Sequence, residues 1–162
     1  MADASLTDIG ITGAPGHVIQ TVANSYTSAS AARTTNSYAK VLTSGGAANW
    51  TGQITNVLAS SSVLIQMHIV TYTAANDAAD GGAVCLYRES TIIYEHAGGH
   101  STYIGSASTA QSWYDDWQIN FLDSSPGTGT NNYFLGYRIY ANASISIEGN
   151  NPFHIIMQEI AA

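Results

Sequence analysis

From Val63 to Tyr72 the chain reads Val-Leu-Ile-Gln-Met-His-Ile-Val-Thr-Tyr. Val63, Ile65, Met67 and Ile69 fall on one side and Gln66 and His68 on the other. That two-residue period belongs to a strand with one buried face, and no helix of 3.6 residues per turn keeps it. The pattern recurs from Trp113 to Leu122, where Trp113, Trp117, Ile119 and Phe121 share a side with Asp115. A carboxylate there is expected near the strand start, outside the core. Tyr133, Leu135, Tyr137 and Ile139 line one face of a further strand, and Phe153, Ile155 and Met157 one face of the last. Shorter strands are expected at His17–Val22, Tyr38–Thr43, Gln53–Leu58, Val84–Arg88, Thr91–Tyr94 and Ser144–Glu148. Helical signal is nearly absent; Ser106–Gln111 is the best short stretch.

Turn chemistry separates these runs at Ser44-Gly45-Gly46, Ser60-Ser61-Ser62, Asp80-Gly81-Gly82, Ser125-Pro126-Gly127 and Gly149-Asn150-Asn151-Pro152. Roughly eight to ten short strands at this spacing predict an all-β antiparallel sandwich or barrel. A chain of 162 residues suits one domain. Residues 1–15, with Gly10, Gly13 and Pro15, read as an N-terminal arm, and residues 16–162 as a single β-sandwich domain. The stretch Asn120–Tyr140 holds two apolar runs around ten residues of turn chemistry. It predicts a long hairpin in which Pro126 supplies a fixed φ and Gly127 a positive one.

Only 9% of the residues are charged against 45% hydrophobic, so Ser, Thr, Asn and Gly must supply the polar surface. Net charge is −7, with Arg33, Lys40, Arg88 and Arg138 as the whole basic complement. Scattered so, they make no phosphate-neutralising stripe, which argues against nucleic acid and against an anionic membrane as partners. Cys85 stands alone, so no intramolecular disulfide forms, and its strand context predicts a buried thiol. The N-terminus has neither a basic nor an apolar segment of a signal peptide, and no apolar run reaches transmembrane length.

Chemistry-bearing groups are few. His96 and His100 have the i, i+4 spacing of zinc ligands, but Gly98-Gly99 between them disfavours the helix that would align them. Asp77 and Asp80 share a loop that lacks the alternating ligands and final Glu of a calcium-binding EF-hand. His68 and His154 read as surface or hydrogen-bonded residues. Asp115-Asp116 beside Trp113-Tyr114 and Trp117 resembles a paired-acid site, yet neighbours in a strand point to opposite faces and cannot converge on one bond. The Gly-rich segment after Pro126 is followed by a Tyr-rich strand, not by the helix and cation of a phosphate loop. No serine-nucleophile elbow occurs. The sequons at Asn49 and Asn142 are read as chance matches in a chain rich in Asn, Ser and Thr. No catalytic residue, cofactor or metal site is expected.

Several segments, in order, resemble a group of small all-β phage virion proteins found on capsid surfaces and tail fibres of phages of aquatic bacteria. They are Gly16-His17-Val18-Ile19-Gln20, Tyr38–Leu42, Val63-Leu64-Ile65, Leu86-Tyr87-Arg88 with Thr91-Ile92-Ile93, Ile119–Gly127, Tyr133–Arg138, and the end Ile155–Ala162. Gln158 is an insertion into the Met-Glu-Ile ending of that group. The resemblance spans roughly Gly16 to Ala162. It implies a jelly-roll-like sandwich, a homotrimer and a virion location, and transfers no catalytic residue.

Two roles follow from it. In the first, the protein decorates or cements the capsid, and apolar residues of the arm (Leu6, Ile9, Ile11 and Pro15) contact the major capsid protein or another virion protein. The shortness of the arm favours this role. In the second, the chain is the distal head of a tail fibre and binds host glycans through exposed aromatics such as Tyr103 or Trp50. A polysaccharide depolymerase acting through Asp115 or His96 has the least support.

Overall fold

The computed structural model describes residues 15–42, 50–75, 81–96, 110–140, 143–148 and 153–162. Among them are ten strands in two antiparallel five-stranded sheets, and no helix. In the first sheet β1 (Val18–Tyr26), β10 (Phe153–Ile160), β4 (Ser62–Ala75) and β7 (Gln111–Asp123) lie in that order, with β9 (Ala143–Ser146) also beside β4. In the second, β2 (Ala39–Lys40), β8 (Gly129–Tyr140), β5 (Gly81–Arg88) and β6 (Thr91–Glu95) lie in order, with β3 (Thr51–Val57) also beside β8.

The two extra strands are interruptions, not additions. β9 pairs with Tyr72–Ala75 of β4 and β10 with Ser62–His68, on the edge of β4 that β7 leaves free. β2 and β3 share one edge of β8 in the same way. Merging each pair leaves four strands per sheet. The chain then visits the first sheet, second, first, second, second, first, second, first. Apart from the β5–β6 hairpin, strands that follow one another change sheets rather than pair, and this connectivity is that of a jelly roll. The expected all-β jelly-roll-like sandwich is the fold.

The alternating faces meet between the sheets. Val63, Ile65, Ile69, Ile119, Tyr133, Leu135, Phe153, Ile155 and Met157 are all 0% exposed. Trp50 joins them, its ring centroid 5.5 Å from those of Tyr26 and Phe153. β3 can press against β10 because Gly52 has no side chain: a Cβ there would sit 2.7 Å from Ile155 Cδ1.

Two sequence expectations are corrected here. The Asn120–Tyr140 stretch is not a hairpin, because β7 and β8 belong to different sheets and the segment between them crosses the sandwich. The reason is that both strands carry one apolar face, and each buries it against the opposite sheet. In the loop, Gly129 (φ 86°) takes the left-handed conformation and Gly127 does not. The Asn131 side chain closes the crossing by donating to Gly127 O (2.6 Å) and accepting from Gly127 N (3.0 Å). Asp115 likewise is not outside the core: it lies within β7, 8% exposed, and accepts from Trp113 Nε1 at 2.8 Å. A polar partner on its own strand makes the inward carboxylate tolerable.

The crossing is anchored by Asp123, 6% exposed at the end of β7. It accepts from Arg88 Nη1 at 3.0 and 2.8 Å, from Tyr133 Oη at 2.9 Å and from Ser125 N at 3.2 Å. One carboxylate on the first sheet is thereby bonded to β5 and β8 of the second. The start and end of the described fold are tied as well, Gly16 N to Ala161 O and Ala161 N to His17 O.

Candidate functional site

The outer face of the first sheet presents the polar half of the alternation. Register sets its rows: Ile156 opposite Gln66 opposite Asn120, and His154 opposite His68 opposite Gln118. Gln66 Nε2 donates to Asn120 Oδ1 at 3.1 Å, and His68 Nε2 lies 2.8 Å from Asp116 Oδ1. With Met67 these rows line a groove of about 260 Å³. Tyr72 and Tyr114 follow along the face with ring centroids 5.2 Å apart. Tyr114 Oη donates to Glu148 Oε2 at 2.8 Å, and that bond raises the phenol pKa. Tyr114, Leu122 and Ile156 are among the exposed large apolar residues.

The outer face of the second sheet is built differently. Lys40 Nζ sits 3.6 Å from the Phe134 ring centroid, and the Arg138 guanidinium lies 4.6 Å from the rings of both Tyr38 and Tyr140. These cation–π contacts cover β5, whose outward Ala83 and Cys85 are 0% exposed. Gly136 is the flat spot that admits the Tyr87 ring, since a Cβ there would meet that ring at 2.5 Å and Cys85 Sγ at 2.7 Å. Burial, helped by Glu95, pushes the Cys85 thiol from 9.0 up to about 12. Burial also pushes Tyr38 up to about 12, against the pull of Arg138. The thiol is therefore protonated and enclosed, as the sequence predicted. A cavity of about 100 Å³ at the margin of this sheet is lined by Arg33, Lys40, Leu42 and Tyr137 among others.

The structure separates the predicted site residues. Asp116 points outward, its side chain 61% exposed, while Asp115 points inward, so the two acids lie on opposite faces as strand geometry requires. His96 follows β6 with its ring edge-on to Trp117 at 5.0 Å. His100, Asp77, Asp80 and Tyr103 fall outside the described residues, as do Leu6, Ile9 and Ile11 of the arm. Pro15 is exposed in the turn before β1. Trp50, expected as an exposed glycan contact, is 0% exposed and belongs to the aromatic core. It was misplaced because it lies between strand runs in the sequence, where the alternation that marks inward residues has no hold. No group of three or more His, Cys, Asp or Glu among the described residues is placed to hold a metal ion. The groove itself went unread: Gln66, His68, Gln118, Asn120 and His154 alternate outward in sequence, but only cross-strand register brings them together.

No family model matches this chain, and no curated protein does. Among solved structures it is similar to the infectious bursal disease virus VP2 subviral particle, at 9% identity and a TM-score of 0.43, over 90% of this chain and 38% of that one. It is similar to the structure of that virus's Gx strain at 12% identity and a TM-score of 0.35, over 93% of this chain and 38% of that one. Dimeric latent PorU from Porphyromonas gingivalis matches at 12% identity and a TM-score of 0.32, over 91% of this chain and 14% of that one. The chain spans less than two fifths of each of these proteins, and the fold assignment rests on its own strand order.

Proposed function

We propose that this protein is a phage virion structural subunit, a capsid decoration or cement protein that binds the outer shell as a homotrimer and stabilises it. The observation that carries the reading is a jelly roll that is polar with few charges, and whose described acids and histidines do not converge on a catalytic set. Few ions have to be desolvated when such a surface enters a permanent contact. Residues 1–15 serve as the grip on the major capsid protein, with residues 16–162 as the sandwich they tether.

The test is co-sedimentation of the protein with shells of its parent particle, using the full chain and a chain lacking residues 1–15. The full chain should pellet with shells and the shortened one should stay in solution. A full chain that does not pellet ends the decoration reading; a shortened chain that pellets ends the role of the arm. A second reading, the distal head of a tail fibre that recognises host surface glycans, is favoured by the groove on the first sheet.

A further inference from the structure

The groove on the outer face of the first sheet carries ligand-binding chemistry that the sandwich does not use. Bonds within the sheet engage one side of Gln66, Asn120 and His68 and leave the other side open. Gln66 Nε2 is spent on Asn120 Oδ1, which leaves Gln66 Oε1 as an acceptor and Asn120 Nδ2 as a donor. His68 Nε2 is spent on Asp116, which leaves Nδ1. Gln118 adds an amide with both capacities and His154 a second imidazole, exposed and directly across from His68. Ile156, 38% exposed, supplies an apolar patch between these groups. Hydroxyl groups both donate and accept, so a surface that offers both on neighbouring strands, about 4.8 Å apart, suits a polyol.

Charge narrows the ligand. Lys40 and Arg138 are on the opposite sheet, Arg88 is held by Asp123 and Arg33 donates to Ser37. The charge bordering the groove is the Asp116 carboxylate, which would repel a phosphate, sulfate or sialyl group. Asp115 is on the far side of β7, and Glu148 is engaged by Tyr114 farther along the face, so among the described residues no second carboxylate for glycosidic cleavage lines the groove.

We infer that this groove binds an uncharged saccharide without cleaving it. The inference rests on the ligand class of the second reading above, and is independent of where in the virion the chain resides. The test is an NMR titration of the full chain, observing side-chain amides, with glucose, galactose, mannose and N-acetylglucosamine, and with lactose and sialyllactose as a neutral and anionic pair. At least one neutral sugar should shift the amides of Gln66, Gln118 and Asn120. Asn120→Ala and, separately, His154→Ala should each weaken that binding about tenfold, the worth of a hydrogen bond lost to a ligand. Both residues face outward, so the melting temperature should not move. The inference is overturned if none of these neutral sugars shifts those amides, if binding survives both substitutions, or if sialyllactose binds more tightly than lactose. Shell co-sedimentation is scored separately, so failure of the groove and failure of the decoration reading are distinguishable.

Discussion

The two outer faces of the sandwich come from the same alternating pattern and have opposite characters. Along the groove of the first sheet the outward positions are amides, imidazoles and Ile156, with Gln66 paired to Asn120 and His68 to the bordering Asp116, open above. On the second they are rings with cations laid over them, and the strand beneath is buried on both sides. The first face is left free to contact something else. The second has already spent its contacts on itself, so its residues answer to packing rules that normally govern a core. A polar outward position is therefore not one kind of position. What decides its role is whether neighbours on adjacent strands are long enough to fold over it.

The largest effect should come from cutting the link between the two sheets. Asp123→Ala removes the carboxylate that holds Arg88 and Tyr133 and leaves both polar groups without it. Breaking a mostly buried pair from one side costs about 3 kcal/mol, a fall of roughly 6 to 12 °C in melting temperature for a domain of this size. Thermal unfolding followed by circular dichroism reads it. Asp123→Asn should recover part of the loss, since its amide still accepts from Tyr133 and Ser125; equal loss in both variants would mean the charge on Arg88 dominates.

The contrast between faces is tested by small substitutions. Gly136→Ala pushes a methyl into the Tyr87 ring and should cost about 1–3 kcal/mol by overpacking. Gln118→Ala on the first face should stay within about 0.5 kcal/mol. If chemical denaturation gives the two variants the same stability, the second face is not packed as described.

The smallest effect near neutrality, and one that grows only in base, is the pH response of the sealed face. Cys85 and Tyr38 have folded pKa values of about 12, raised from 9.0 and 10.0. Their protonated forms are favoured by folding, so the stabilisation is complete below pH 9 and drains away as pH rises from 9 to 12. Melting temperature against pH should be level up to that point and then decline, and Cys85→Ala should flatten the early part of the decline. An unchanged slope in the variant would remove the thiol from the account.

Much of this could be read from the chain. The inward residues Val63, Ile65, Met67 and Ile69, and Tyr133, Leu135, Tyr137 and Ile139, are all buried as their alternation required. Alternation is a local signal: the pleat itself sends successive side chains to opposite faces, whatever the rest of the molecule does. The opposition of Asp115 and Asp116 followed from the same rule. The loop after Asp123 did not, because a hairpin and an inter-sheet crossing need the same turn residues. They differ only in which distant strand each arm pairs with.

Strand positions, buried faces and the exclusion of paired-acid chemistry at Asp115-Asp116 were thus matters of sequence alone. The partners of each strand, the placing of Trp50 in the core, the Asp123 link and the groove were decided by the tertiary structure. The physical reason is range. Backbone geometry acts between neighbours, while the groove exists because β10, β4 and β7 are distant in the chain and adjacent in the sheet, in a register that sets His154 across from His68 and Gln66 across from Asn120.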